Sequence, residues 1–306
     1  MSNDPRQSKN QRRDAAREKA RQQRARQQRR ERRNRLVLQL SIGGVLIAIV
    51  AVVAVILVNS VRPPGPGPRN MANGGITLSG AELTAVETGA AAADATPKPE
   101  PTTSGTVRIQ LFEDLGCPVC QAFEQTNGAQ IEQLVKSGAA QVQYFPVAIL
   151  DRNFTDRYST RAANAAAAVA SYSPNTFQAF LTRMYATDVQ PKEGGAGLSD
   201  ARLLQIAKQT GAGSTAKIQR AIEDGQFESW VEKRTQEFTD KTGVLADVDI
   251  PKASRGATPT VIVNGQFYTG LPNDADAFGS FVTSVGGAAA APTSSPSPTP
   301  SPSSTD

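Results

Sequence analysis

The sequence predicts an α/β domain carrying a helical insertion and preceded by a single transmembrane helix, and three observations lead there. Two strand-like runs, at 107–112 and 141–147, flank one helical run. The stretch from about 155 to 254 is helical in pattern throughout, and an Asn-Gly step then joins two short β runs, the strongest short-range hairpin signal.

The amino terminus is set apart by charge. Residues 1–35 carry fourteen Lys or Arg against four acids and hold a net +10, while the whole chain of 306 residues holds +5. The remaining residues therefore sum to −5, so the alkaline balance describes the arm and not the folded part. The arm has no aromatic residue to stack a base, and no nucleic-acid partner is expected.

Residues 36–58 follow without a single charge. As a helix they measure about 35 Å, enough to cross a hydrocarbon core of about 30 Å. A cleavable signal peptide has a shorter apolar region, and the exit Asn59-Ser60-Val61-Arg62-Pro63 offers no small-x-small cleavage site. The expectation is a single-pass cell-membrane anchor, with the basic arm cytoplasmic and everything after Asn59 extracytoplasmic.

Residues 59–105 are rich in Pro, Gly, Ala and Thr and read as a mostly extended linker, with Gly75–Ser79 as one outlying strand candidate. The folded domain is expected over 106–285, and the Ser/Thr/Pro-rich tail 286–306 cannot build a core. Within the domain, Val107–Phe112 alternates before turning continuously apolar, as a strand entering a core does. Val119, Phe123, Ile131, Leu134 and Val135 fall near helical spacing, with Gly138 as the stop and Asn127-Gly128 as an expected irregularity. Gln141–Val147 is the next strand. Helices are then expected at 162–170, 176–186, 200–210, 216–223 and 227–241, with Ser199 as an N-cap and Leu198 with Leu203 at staple spacing. The runs 260–263 and 266–269 form the hairpin, and residues 273–284 close the domain as a helix.

The chain has two cysteines, Cys117 and Cys120, and no histidine. A disulfide staple across so short a loop removes little chain entropy, about 2 kcal/mol against about 4.7 for a hundred-residue loop. A zinc site needs three or four ligands, more than these two thiols supply. A thiol pair kept for binding or sensing and a catalytic dithiol both remain, and position favours the second. Cys117 follows a predicted strand and opens a predicted helix, with Pro118 fitting the first turn. Unpaired N–H groups and the dipole at a helix start stabilise a thiolate, the species that exchanges with disulfides, and Cys120 one turn inside is placed to resolve the mixed disulfide.

The stretch Phe112-Glu113-Asp114-x-x-Cys117-Pro118-x-Cys120, the helical insert and Thr258-Pro259-Thr260 ahead of a strand resemble the DsbA-like thiol–disulfide oxidoreductases of the thioredoxin superfamily, in particular membrane-anchored actinobacterial or Gram-positive forms. The resemblance covers about residues 106–285 and implies a thioredoxin-like fold with its helical insert before the hairpin. It implies that Cys117 is the exposed nucleophile, that Cys120 resolves, and that Thr258-Pro259 is a cis peptide bond facing them, with Pro118 and Val119 completing the site. The implied enzyme is a protein disulfide oxidoreductase without organic cofactor or metal. Its substrates are reduced exported proteins, and a quinone-linked membrane reoxidase of the DsbB or VKOR type restores its disulfide.

The pattern departs from the family at Val119, where His often stands and helps to hold the thiolate, so the direction of electron flow stays open. A reductase or isomerase uses the same thiols, and a tethered binding module with an inert disulfide is the competitor of another class. Glu113 and Asp114 stand four and three residues before Cys117. A buried carboxylate at Glu113 relays protons and raises the thiol pKa, whereas a solvated turn acid, the expectation for Asp114, does neither.

Overall fold

The computed structural model describes residues 65–92, 95–97 and 105–287. The basic arm, the apolar run 36–58 and the tail beyond 287 lie outside those residues, and the expected span lies there with them. No helix among the described residues is long and apolar enough to cross a membrane.

Six strands make one sheet: β1 (Ile76–Ser79), β2 (Thr84–Ala85), β3 (Val107–Glu113), β4 (Ala140–Pro146), β5 (Thr260–Val263) and β6 (Gln266–Phe267), in the order β2-β1-β4-β3-β5-β6. The central pair β3 and β4 is parallel, and the helix α1 (Pro118–Lys136) makes the crossover between them. β5 runs antiparallel to β3, and β1 antiparallel to β4. At the hairpin, Asn264 and Gly265 both take positive φ, 47° and 82°, as the Asn-Gly step predicts.

The described part of the expected linker is not extended. It supplies β1 and β2, buries Met71, Ile76 and Leu78 completely, and ties Asn70 Nδ2 to the carbonyl of Ala170 at 2.9 Å. The strand candidate Gly75–Ser79 contains β1, whereas β2 and the packing of the flanks were hidden by the Pro and Gly that signal a linker.

Alternation along the strands sorts side chains onto two faces. Ile109, Leu111, Val142, Tyr144, Val261 and Val263 join the larger cluster, which receives α1 and the closing helix α7 (Ala275–Gly286). Phe112, Phe145 and Ile262 face the other way, onto Phe238 and Leu245. Phe112 stacks on Phe145 with centroids 4.2 Å apart.

The insert holds α2 (Tyr158–Tyr172), α3 (Phe177–Met184), α4 (Asp200–Gln209), α5 (Thr215–Glu223) and α6 (Glu228–Thr239). α2 is its central helix, and the alanines from Ala162 to Ala170 are all buried, small enough for the surrounding helices to approach closely. Its one polar residue within that run, Asn164, donates to the Ala221 carbonyl and accepts from Phe227 N–H. Ser199 caps α4 as expected, accepting from Arg202 N–H. The irregularity expected at Asn127-Gly128 does not occur. α1 runs through it, with Asn127 buried and donating to the carbonyls of Phe123 and Pro272.

Candidate active site

Three chain segments meet at one end of the sheet: the C-terminal end of β3, the start of α1 and the entry to β5, where Phe112 lies opposite Thr260. Cys117 is the N-cap of α1 and Pro118 occupies the first turn. The Thr258-Pro259 bond is cis, and the carbonyl oxygen of Thr258 lies 3.5 Å from Cys117 Sγ. The structure thus brings Cys117, Pro118, Thr258, Pro259 and Cys120 together. Val119 points outward and is 47% exposed, whereas Cys117, expected to be the exposed thiol, keeps only 5% of its surface and Cys120 none.

Both cysteines are unbridged thiols here, and their surroundings separate them. Cys117 falls from the ordinary cysteine range to about 6. The Cys120 thiol donating to it is the largest cause; burial opposes, and the Thr258 hydroxyl with the N–H groups of Cys120 and Val119 adds to the fall. The Thr258 hydroxyl has no partner in the resting geometry, so its hydrogen is free to turn toward the sulfur when the thiolate forms. Cys120 is pushed well up, by burial above all. One thiol is therefore an anion at neutral pH and the other holds its proton.

Glu113 is buried under this pair, and neither of its oxygens meets a donor. Burial raises its pKa most, then the neighbouring Glu124 and Cys117. Glu124, on α1 one turn past Cys120, is buried too and raised to about 7 by burial. Two ionised carboxylates have nothing to donate to each other, so the pair is satisfied only when one of them carries a proton. A narrow crevice lined by Leu115, Tyr144, Pro146, Leu181 and Tyr185 adjoins Glu113.

Asp114 departs from the solvated turn acid expected of it. It is fully buried: Oδ1 accepts from Gly116 N–H at 2.8 Å and Oδ2 from Leu150 N–H at 2.9 Å. Burial lifts its pKa to about 6 against those two bonds. Its carbonyl accepts from Cys117 N–H and from the Tyr185 hydroxyl, so the turn that presents the nucleophile is built on Asp114. Gly116 completes the turn, since a Cβ there would stand 2.6 Å from the Phe154 ring.

Sequence reasoning passed over Asp114 as a turn builder, and also Glu124, Tyr185 and Gln190. Glu124 had a signal: it shares the stripe Cys120, Phe123, Asn127 and Ile131 at helical spacing, and a carboxylate on a buried stripe marks an unusual site. Tyr185 and Gln190 reach the site from the insert and had none.

A thioredoxin-type sheet that presents a low-pKa thiol at a helix start, with a buried partner thiol one turn on, defines a thiol–disulfide oxidoreductase. A family model described as thioredoxin matches residues 102–283, and the chain belongs to that family as a DsbA-like member. The reduced form of the disulfide bond oxidoreductase DsbG from Mycobacterium tuberculosis superposes with a TM-score of 0.51 at 29% identity, over 63% of this chain and 85% of that one. Reduced DsbA from the same organism gives 0.52 at 28% identity, over 70% and 93%. Its oxidised form gives 0.51 at 29%, over the same shares. No curated protein matches the chain.

Proposed function

We propose that this DsbA-like enzyme is an oxidase that passes a Cys117–Cys120 disulfide to reduced exported proteins. The observation that carries the reading is the asymmetry of the two thiols. A reduced form stabilised by an ionised Cys117 gives up electrons reluctantly, so its disulfide is the stronger oxidant.

The exchange begins when a substrate thiolate attacks Cys117 Sγ. The Cys117–Cys120 bond breaks, a bond from substrate sulfur to Cys117 forms, and Cys120 leaves with the electron pair. Cys120 takes up a proton, for which the buried Glu113–Glu124 pair is a source, to be replaced from solvent. A second substrate thiolate then attacks the substrate sulfur of the mixed disulfide, and Cys117 departs as the thiolate its surroundings favour. Two substrate thiols become a disulfide and the enzyme is left as a dithiol. A quinone-linked membrane protein of the DsbB or VKOR type reoxidises it, as the family resemblance implies. The apolar run 36–58 tethers the enzyme on the outer side of the cell membrane, a reading supported by its length and by the basic arm before it.

The test is refolding of reduced ribonuclease by the oxidised full-length protein in detergent, beside insulin reduction. Oxidase activity restores ribonuclease activity and is abolished in Cys117→Ser. Equal refolding by that variant points to a binding module with an inert disulfide, and insulin reduction without refolding points to a reductase.

A further inference from the structure

Where the insert leaves α3, residues 185–190 lie along the catalytic helix and bond to it repeatedly. The Tyr185 carbonyl accepts from Gln121 Nε2 and Gln125 Nε2, both at 3.0 Å, and Gln125 Nε2 also reaches Thr187 Oγ1 at 3.2 Å. The segment is itself a fixed turn, with Val189 N–H and Gln190 N–H both donating to the Ala186 carbonyl.

One bond of this group differs from the rest. Gln190 Nε2 donates at 2.8 Å to the carbonyl oxygen of Cys117, the main chain of the nucleophile itself. That carbonyl also accepts Gln121 N–H at 3.1 Å, the first bond of α1. The residue after it is Pro118, which has no N–H, so the carbonyl is the polar handle of the Cys117–Pro118 peptide. Gln190 has no other side-chain partner: its Oε1 is buried and meets no donor. A half-dry amide that leaves its oxygen unsatisfied in order to reach one carbonyl calls for an explanation beyond packing.

We infer that Gln190 is a positioning residue through which the helical insert sets the reactivity of Cys117, an inference that rests on Cys117 being the nucleophile. The carbonyl oxygen is the negative end of a peptide dipole on the same residue as the sulfur, and a thiolate is destabilised by it. The Gln190 N–H offsets that negative end and holds the peptide plane, so the sulfur stays aimed at the N–H groups of Val119 and Cys120. The titratable groups around Cys117 are Cys120 on α1 and Glu113 and Asp114 before it, with Tyr185 from the insert behind them. Asp188, the acid of the 185–190 turn, is paired with Arg183 at the surface.

The test is the pH dependence of iodoacetamide reaction at Cys117 in the reduced full-length protein, for wild type, Gln190→Met, Gln190→Glu and Gln125→Ala, with thermal midpoints measured alongside. Met keeps the volume and removes the donor; Glu sets an anion against the carbonyl. The reaction midpoint is expected to rise by about half a unit in Gln190→Met and by about one unit in Gln190→Glu, with Gln125→Ala unchanged. Coincident midpoints in wild type and both Gln190 variants overturn the inference, as does an equal shift in Gln125→Ala, which would mark general loosening of the contact. A wild-type midpoint at the ordinary cysteine value instead overturns the reading of Cys117 as nucleophile, and this inference with it.

Discussion

The carbonyl oxygen of Thr258 lies 3.5 Å from Cys117 Sγ across 141 residues of sequence. Thr258 serves both protonation states of that sulfur. Its carbonyl accepts from the thiol, and its buried, otherwise unpartnered hydroxyl is positioned to donate to the thiolate. Thr258→Val keeps the shape and the carbonyl but removes the hydroxyl. The Cys117 midpoint is expected to rise by about one unit from its value near 6, since a hydrogen bond to a charged group contributes about 1.5 kcal/mol or more and one unit is 1.36 kcal/mol. Alkylation rates against pH check this, and an unmoved midpoint removes the hydroxyl from the site.

The buried carboxyl of Glu124, paired with Glu113, makes stability depend on pH. Glu124 sits at about 7 against an ordinary 4.5. The folded chain holds this proton more tightly than the unfolded chain, so the contribution is complete below pH 4.5 and lost as pH rises through 7. That gap corresponds to a loss on the order of 3 kcal/mol at pH 8. Glu124→Gln needs no proton, and its amide donates to Glu113. The variant is expected to be more stable than wild type at pH 8 and no more stable at pH 4.5. Guanidinium unfolding of the reduced protein at the two pH values decides it: equal differences at both would show that the carboxyl does not titrate in the folded state.

Gly116 is required by close approach and not by a left-handed backbone. A Cβ at this position meets Phe154 Cε2 at 2.6 Å and Cζ at 2.9 Å, inside the turn held by Asp114. Gly116→Ala must displace the ring or the turn, at a cost of about 1–3 kcal/mol. Because the turn carries Cys117, the exchange rate is expected to fall further than the thermal midpoint alone accounts for. Phe154→Leu in the same chain opens the space and should return part of the rate. Failure of that rescue would mean the contact is not what limits position 116.

The parts of the fold and of the site differ in how legible they are in the sequence. The order of β3, α1 and β4, the α1 start at Cys117 and the Asn264-Gly265 hairpin follow from local signals: alternation, helical spacing and turn chemistry, all within a few residues. Strand β1 was readable only as an isolated run, because its partner β4 lies far along the chain and its flanks look like linker. Asp114 reads as a turn acid from its neighbours alone. What buries it is Leu150 N–H on one side and Tyr185 on the other, 36 and 71 residues away. Gln190 is a glutamine in a loop until the fold brings it 2.8 Å from a carbonyl 73 residues earlier. Long-range placement, which no local pattern encodes, is what hid the roles of Asp114, Tyr185 and Gln190, whereas Glu124 stood on a readable helical stripe.

Val119 is the position where this chain departs from the histidine often found in its family, and it is open to solvent. An imidazolium there would attract the Cys117 thiolate, while its exposure screens the attraction to about 1 kcal/mol or less. Val119→His is therefore expected to lower the Cys117 midpoint by about half a unit below its present value near 6. The sign for redox follows. A more stable thiolate stabilises the reduced form, so the disulfide becomes more oxidising, by about 10 mV at pH 6, where the thiol is only partly ionised, at 29.6 mV per tenfold change. The shift should fade above pH 7, where the imidazole loses its charge. Equilibration with glutathione at pH 6 and pH 8 measures both. An equal potential change at the two values would mean that the side chain acts by shape and not by charge.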